Sequence, residues 1–390
     1  MRCKKYVLFF RRYDACNIGI AVSPQPENHL YLIKKMKKLT FLLALLLMPF
    51  AMMAGVPKEK DMGAYLMVYH KDQDHGLHMA LSYDGRTFTA LNDDRPVLAG
   101  DTIATQHGIR DPHIFRAPDG WFYLAMTDLH IYAQREGYRS TEWERPGNKF
   151  GWGNNKCLVL MKSRDLLHWK RTVIDFTKLD PSLEDIGCVW APETAWDYEH
   201  NKLMIYYTMR HGIGQCKLYY SYVNNDYDSI ETLPKVLFTY PKADKGAIDG
   251  DICYTPADST YHLTYCSHDG TVGIKQAVSK HITGPWTYID DYLDAEKGEC
   301  EAPQVWKIIG QNKWILMYDC YRRQPMNFRF AETTDFKTFK DLGLFDDGGV
   351  MKRTNFQEQK HGAVCHLTRK EARRLENYWK EHATAAAGGK

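Results

Sequence analysis

Three carboxylates open short β-prone runs that are far apart in the chain. They are Asp111 in Asp111-Pro-His-Ile-Phe115, Asp249 in Asp249-Gly-Asp-Ile-Cys-Tyr254, and Glu301 in Glu301-Ala-Pro-Gln-Val-Trp306. Two further runs begin in the same way, Ala191-Pro-Glu193-Thr-Ala-Trp196 and His361-Gly-Ala-Val-Cys-His-Leu367. Carboxylates gathered in one funnel do not titrate independently, because like charges raise some of their pKa values and favour shared protons. Such a set can hold one acid protonated near neutral pH while another stays ionised. Cleavage of a glycosidic bond uses that pairing. One carboxylic acid protonates the leaving oxygen, and one carboxylate activates water or attacks the sugar carbon.

Each residue also has a plainer reading. Asp-Pro commonly opens a turn, so Asp111 alone reads as structural. Asp251 lies two positions beyond Asp249 and faces the same side of a strand, so either can tune the acid. Glu193 reads first as a buried carboxylate paired with an arginine. Arg110, Arg210 and Arg322 are the arginines placed to pair with the set. Trp152, Trp190, Glu193, Arg210, His211, Arg322 and His361 make up the expected substrate-binding group.

Internal repetition supplies the elements that would bring these residues together. Five segments pair a strand with a polar turn, three of them as S/T-x-D, and four follow the turn with an aromatic. They are Leu77–Asp84 with Phe88, Leu158–Asp165 with Trp169, Leu218–Ser221 with a variant turn through Asp226, Ile274–Ser279 with Trp286, and Phe328–Asp335 with Phe339. Before four of them lies a polar start and a β-run, then turn residues and a second β-run, which is a hairpin pattern. The first segment has only Ala64–Tyr69 before it, and its missing partner is His361–Leu367 at the other end of the chain. Joining the termini in one sheet removes the open edges of a ring. The expectation is an all-β, five-bladed β-propeller over residues 62–367, with a helix and tail over 368–390. A β-sandwich shares the short strands but does not require a polar residue at the head of each repeat. In a propeller the first strand of each blade lines the axis, which places all five openers around one mouth.

The motifs Arg110-Asp-Pro112, Trp190-Ala-Pro-Glu193, Ile248-Asp-Gly-Asp251, Cys300-Glu-Ala302 and His361-Gly362 resemble, in order, the blade motifs of glycoside hydrolase family 43. The resemblance implies a five-bladed fold and inversion of the anomeric configuration. It implies Asp111 as general base, Asp249 as the carboxylate that tunes and positions the acid, and Glu301 as general acid. It points to an α-L-arabinofuranoside, with β-xylosides and galactosides as alternatives. No cofactor is required by it, although in some relatives the histidine matching His361 helps hold calcium on the axis. Members usually carry glycine after the acid. Here Ala302-Pro303 follows, so the loop that aims Glu301 is expected to differ. A non-catalytic carbohydrate-binding propeller and an inverting glycoside phosphorylase are the rival readings. Arg210-His211 and Arg322-Arg323 are the pairs that could serve phosphate.

The N-terminal stretch does not read as part of the fold. Lys37-Lys38, an apolar block from Leu39 to Met53, and Ala54 describe a secretory signal peptide over 36–54, with residues 1–35 as an upstream extension. The expected location is secreted or periplasmic, with no membrane span in the mature form. Residues 1–38 carry nine Lys or Arg against two Asp or Glu, which leaves −4 for the rest of a chain whose net charge is +3. An acidic exported domain of this kind gives no reason to expect a nucleic-acid partner, and the expected partner is an oligo- or polysaccharide. The ten cysteines show no CxxC spacing, so a structural zinc site is not expected and no pairing is assigned. The long segment 128–155 carries Tyr132, Tyr138, Trp143 and Trp152. It is expected either to stack on sugar or to pack on its own aromatics. The sequence sets no oligomeric state.

Overall fold

A computed structural model describes residues 57–296 and 299–387. The expected leader and upstream extension lie outside the described residues. Blade 1 begins with β1 (Met62–His70), β2 (Leu77–Ser82) and β3 (Thr87–Ala90). Blade 2 holds β4 (Ile109–Arg116), β5 (Phe122–Asp128), β6 (Cys157–Ser163) and β7 (Lys170–Asp175). Blade 3 holds β8 (Ile186–Asp197), β9 (Lys202–His211), β10 (Lys217–Val223) and β11 (Lys235–Phe238). Blade 4 holds β12 (Ala247–Thr255), β13 (Thr260–Ser267), β14 (Gly273–Ser279) and β15 (Thr287–Ile289). Blade 5 holds β16 (Glu301–Lys307), β17 (Trp314–Cys320), β18 (Asn327–Thr333) and β19 (Lys340–Leu344).

The chain then returns to blade 1. There β20 (Lys352–Arg353) adds in parallel to β3, and β21 (Lys360–Thr368) pairs antiparallel with β1. The terminal strands therefore close one sheet, and the five sheets form a five-bladed propeller. The fifth strand of blade 1 is an addition that the repeat pattern did not predict.

Five apolar clusters hold the ring, one between each pair of neighbouring sheets. Leu66, Leu124 and Met126 pack between blades 1 and 2, Tyr123, Ile205 and Tyr207 between blades 2 and 3, and Tyr206, Leu263 and Tyr265 between blades 3 and 4. Ile274, Leu316 and Tyr318 pack between blades 4 and 5, and Met67, Met317 and Phe330 between blades 5 and 1. Middle strands are thus covered on both faces, which is why β5, β6 and β17 are buried at every position and each opens with five apolar residues, Phe122–Met126, Cys157–Met161 and Trp314–Tyr318. The repeated S/T-x-D turns fold by local side-chain bonds. Asp84 accepts the N–H groups of Arg86 and Thr87 (2.7 Å each), and Asp165 and Asp335 do the same in their blades. The C-terminal helix, Arg369–Ala387, follows β21, and its Glu371 takes a bidentate bond from Arg116 at 2.9 Å.

Candidate active site

The inner strands are β4, β8, β12, β16 and β21. Each carries a bulge at the same height, where pairing with the next strand is interrupted. The residue at the bulge has positive φ in all five: Asp111 (51°), Ala191 (45°), Asp249 (53°), Ala302 (56°) and His361 (38°). A bulge leaves one residue without a ladder partner and turns its side chain. It also explains Pro112, Pro192 and Pro303, which follow the bulge residue where no ladder N–H is needed. The Ala302-Pro303 departure is accommodated here. Ala302 takes the left-handed conformation that glycine adopts freely, at a cost of about 1 kcal/mol.

Four of the five bulges are tied to the blade before them. The Asp111 N–H donates to His70 Nδ1 (3.2 Å), the Ala191 N–H to Thr127 Oγ1 (2.9 Å), and the Asp249 N–H to Thr208 Oγ1 (3.0 Å). The Thr127 hydroxyl donates in turn to Asp111 Oδ2 at 2.7 Å, which fixes that carboxylate. The Ala302 N–H donates to Asp249 Oδ2 at 3.3 Å, so Asp249 holds the backbone directly after Glu301.

The structure brings Asp111, Asp249, Glu301 and His361 into one charged cluster. His361 Nδ1 lies 3.2 Å from Asp111 Oδ1. Burial raises the Asp111 carboxyl, but the His361 cation, its hydrogen bond and the Arg110 charge outweigh this and hold it far below the usual carboxylate range. Burial would lower His361, yet Asp111, Asp249 and Glu301 push it up to about 9, so it is an imidazolium at neutral pH. Asp249 is raised to about 7 by burial; Glu301 and Asp111 add to the rise while His361 opposes it. Glu301 is 26% exposed at its side chain and sits 3.4 Å from Lys360 Nζ. Asp111 is thus held ionised, while Asp249, which bonds the backbone next to Glu301, tends to keep its proton toward neutral pH.

Sequence reasoning missed several members of this cluster. Arg110 does not pair with Asp111; its Nη1 bonds Asp72, on the loop after β1. Lys360, buried beside Glu301, and Asp319 on β17 were also missed. Aligning the strands by blade would have found Lys360, since it occupies the place of Arg110 and Glu301 one step before the bulge.

The remaining expected residues lie elsewhere. Glu193 and Asp251 sit one layer below the bulge ring, because the extra bulge residue separates them from the level of Asp249. Among the described residues Glu193 has no arginine partner. It accepts from Tyr206 (2.5 Å), and burial followed by the nearby Asp251 charge raises it well above the carboxylate range. Asp251, raised by burial to about 7, accepts the Val305 N–H at 2.7 Å. Glu193 and Asp251 thus share a proton. Trp190 and Trp152 meet edge to face at 5.9 Å, with Trp152 59% exposed. Arg210 stacks on Trp190 at 4.5 Å and donates to the Phe150 and Trp152 carbonyls, so it holds this platform and none of the carboxylates. His211 binds Asp185 at 2.6 Å, and the exposed Arg322 pairs with Glu299. The 128–155 segment packs largely on itself, with Trp143 buried against Trp152, while Trp152 remains open to solvent.

Calcium on the axis would need a free ligand lone pair. The nitrogens of the His361 imidazolium both carry protons, and His361 is tied to Asp111. Deeper, His113, Glu193 and Asp251 bring ligand atoms within 4.8 Å of one another. The Thr194 N–H, however, donates to His113 Nδ1 at 3.1 Å, so Nε2 of this neutral ring carries the proton and cannot ligate. These donors suit protons and do not fit a metal.

The fold and the site define the class: a five-bladed propeller with carboxylates gathered on its inner strands. A family model described as "Probable glycosyl hydrolase domain", of the glycosyl hydrolase 43-related group, matches residues 60–373. The chain belongs to this family and is of the glycoside hydrolase family 43 type. Among solved structures it resembles a thermostable family-43 glycoside hydrolase (TM-score 0.51, 12% identity, covering 72% of this chain and 89% of that one). It also resembles an endo-1,4-beta-xylanase from Bacteroides thetaiotaomicron (TM-score 0.50, 13% identity, 72% and 90% covered). An alpha-L-arabinofuranosidase of Bifidobacterium longum is 27% identical over 131 residues, 32% of this chain. The match spans 11% of that relative's length.

Proposed function

We propose that the protein is an exported, inverting α-L-arabinofuranosidase that acts on side chains of plant-type polysaccharides. The observation that carries this reading is the contrast across the ring, with Asp111 ionised by His361 and Asp249 raised beside the solvent-open Glu301. Asp111 takes a proton from water as the water oxygen bonds the anomeric carbon, and Glu301 gives its proton to the leaving oxygen. The C–O bond breaks without a covalent intermediate, and proton exchange with solvent restores both groups. Trp152 and Trp190 offer a stacking platform at the rim. The arabinofuranoside is favoured by the Bifidobacterium relative, and export by the leader pattern over 36–54. Phosphate is disfavoured, because Arg110, Lys360, His361, Arg322 and Arg323 are already engaged by carboxylates.

The test is hydrolysis of aryl α-L-arabinofuranoside, β-D-xyloside and β-D-galactoside by wild type, Asp111→Ala and Glu301→Ala, with the first-formed anomer read by proton NMR. The arabinofuranoside should be cleaved with inversion, and each variant should lose about 10²–10⁴-fold. Turnover of another aryl glycoside alone would move the substrate to that sugar. No turnover, with arabinan binding intact in all three proteins, would make the propeller a binding module.

A further inference from the structure

In blade 5, β16 starts at Glu301, directly after Cys300. The register pairs Glu301 with Asp319 on β17, so the residues one step back, Cys300 and Cys320, stand opposite each other. Opposite residues of antiparallel strands have Cα atoms about 4.5–5.5 Å apart and project to the same face. That spacing lies inside the range a disulfide spans. The two thiols already meet, with Sγ atoms 4.0 Å apart, and both side chains are buried. Turning the side chains about χ1 closes the rest of the gap to the roughly 2 Å of an S–S bond.

The pair is particular to blade 5. Two residues before the bulge, blades 2, 3 and 4 carry Ile109 opposite Asp128, Val189 opposite Met209, and Ala247 opposite Ser267. Cys188 on β8 and Cys216 at the foot of β10 flank β9, so their backbones stand roughly 10 Å apart, too far for a disulfide. Cys266 on β13 uses its thiol to donate to the Cys300 carbonyl at 3.3 Å. The residue before Glu301 is thus held by blade 4 through its carbonyl, while its side chain faces Cys320.

We propose that Cys300 and Cys320 form a cross-strand disulfide under oxidising conditions, and that this bond clamps the start of β16, with Glu301 at its head, to β17. Each thiol gives up one proton and one electron as the S–S bond forms, and the oxidant, a small-molecule or protein disulfide, is reduced to two thiols. Such oxidants are found outside the cytosol. The Cys320 thiol, followed by burial, pushes the Cys300 thiol far above its usual range, which leaves little thiolate in the folded pair. The bond therefore forms during folding, before β16 and β17 close over the sulfurs. The inference does not depend on the sugar or on the roles given to the carboxylates.

In the experiment the full chain is unfolded in urea with dithiothreitol, refolded in reduced and oxidised glutathione, alkylated and digested with trypsin. Peptides 298–307 and 314–322 each carry one cysteine, Cys300 and Cys320. Mass spectrometry should find them joined, two hydrogens lighter than their sum, in wild type and in Cys266→Ser, and separate in Cys320→Ser. The oxidised protein should melt about 4–5 °C above the same protein refolded in dithiothreitol, as expected for closing the loop from residue 300 to 320. In Cys320→Ser the two treatments should give one melting point. Recovery of both peptides alkylated from the refolded wild type, or of Cys300 joined to any cysteine other than Cys320, would overturn the proposal. So would a Cys300–Cys320 bond that leaves the melting point unchanged, because the strands would then not be clamped.

Discussion

Replacing His361 with glutamine should remove the cation that keeps Asp111 ionised, and the effect on stability has a definite size and pH signature. The pair is buried, with His361 Nδ1 3.2 Å from Asp111 Oδ1. Folding raises the histidine from 6.5 to about 9. At 1.36 kcal/mol per unit this corresponds to about 3 kcal/mol of stabilisation. The cost of deleting one partner of a buried pair, about 3–5 kcal/mol, is on the same scale. A group whose folded pKa is raised contributes fully below its unfolded value and loses that contribution as pH climbs through the folded one. The gap between wild type and His361→Gln should therefore be about 3 kcal/mol at pH 6. By pH 10 it should fall to about 1 kcal/mol, the worth of a neutral hydrogen bond. Urea unfolding of both proteins at pH 6, 7.5 and 9.5 measures the gap. In thermal melts at pH 6 the variant should melt about 4–5 °C lower. A gap that stays constant with pH, or widens toward alkaline pH, would refute the ion-pair assignment and with it the ionised state of Asp111.

Two further expectations concern neighbouring residues. Asp249, raised from 3.8 to about 7, has the same linkage sign as His361: the folded state binds its proton between those values, so the fold weakens as pH rises and ionised Asp249 destabilises it above pH 7. Asp249→Asn should thus be more stable than wild type at pH 8, by up to about 4 kcal/mol, with the gap closing toward pH 4 while hydrolysis falls. Denaturant titrations at both pH values decide this, and equal stability at pH 8 would count against the buried charge. Trp152→Ala should remove one face of the platform. KM should rise about 3–10-fold with kcat nearly unchanged, measured on an arabinan oligosaccharide; a fall in kcat alone would place Trp152 outside the binding surface.

The contrast among the carboxylates shows how far the sequence could be read. Asp111, Asp249 and His361 were recognisable because a repeated sheet puts equivalent positions at equal height; Glu301, known from its blade motif, stands one step before the bulge that Ala302 occupies. The pairing of Ala64–Tyr69 with His361–Leu367 followed from the one repeat that lacked its first strand, and β1 and β21 show that pairing. Asp319 left a weaker signal, as the acidic residue where the other second strands carry Thr127, Thr208, Cys266 or His70. The separate level of Asp251, the partners of Glu193 and the link from Arg110 to Asp72 left none.

By itself the sequence determined the number of blades, their closure and part of the residue set at the axis, because these depend on strand periodicity and turn chemistry that act within a few residues. Only the tertiary structure decided which of those residues are charged. Protonation depends on burial and on partners supplied by distant strands: Asp111 is ionised by His361, 250 positions away, while Asp249, buried close by, is raised to about 7. Five bulges with positive φ set those distances, and electrostatic energies follow distance and solvent exposure rather than order along the chain.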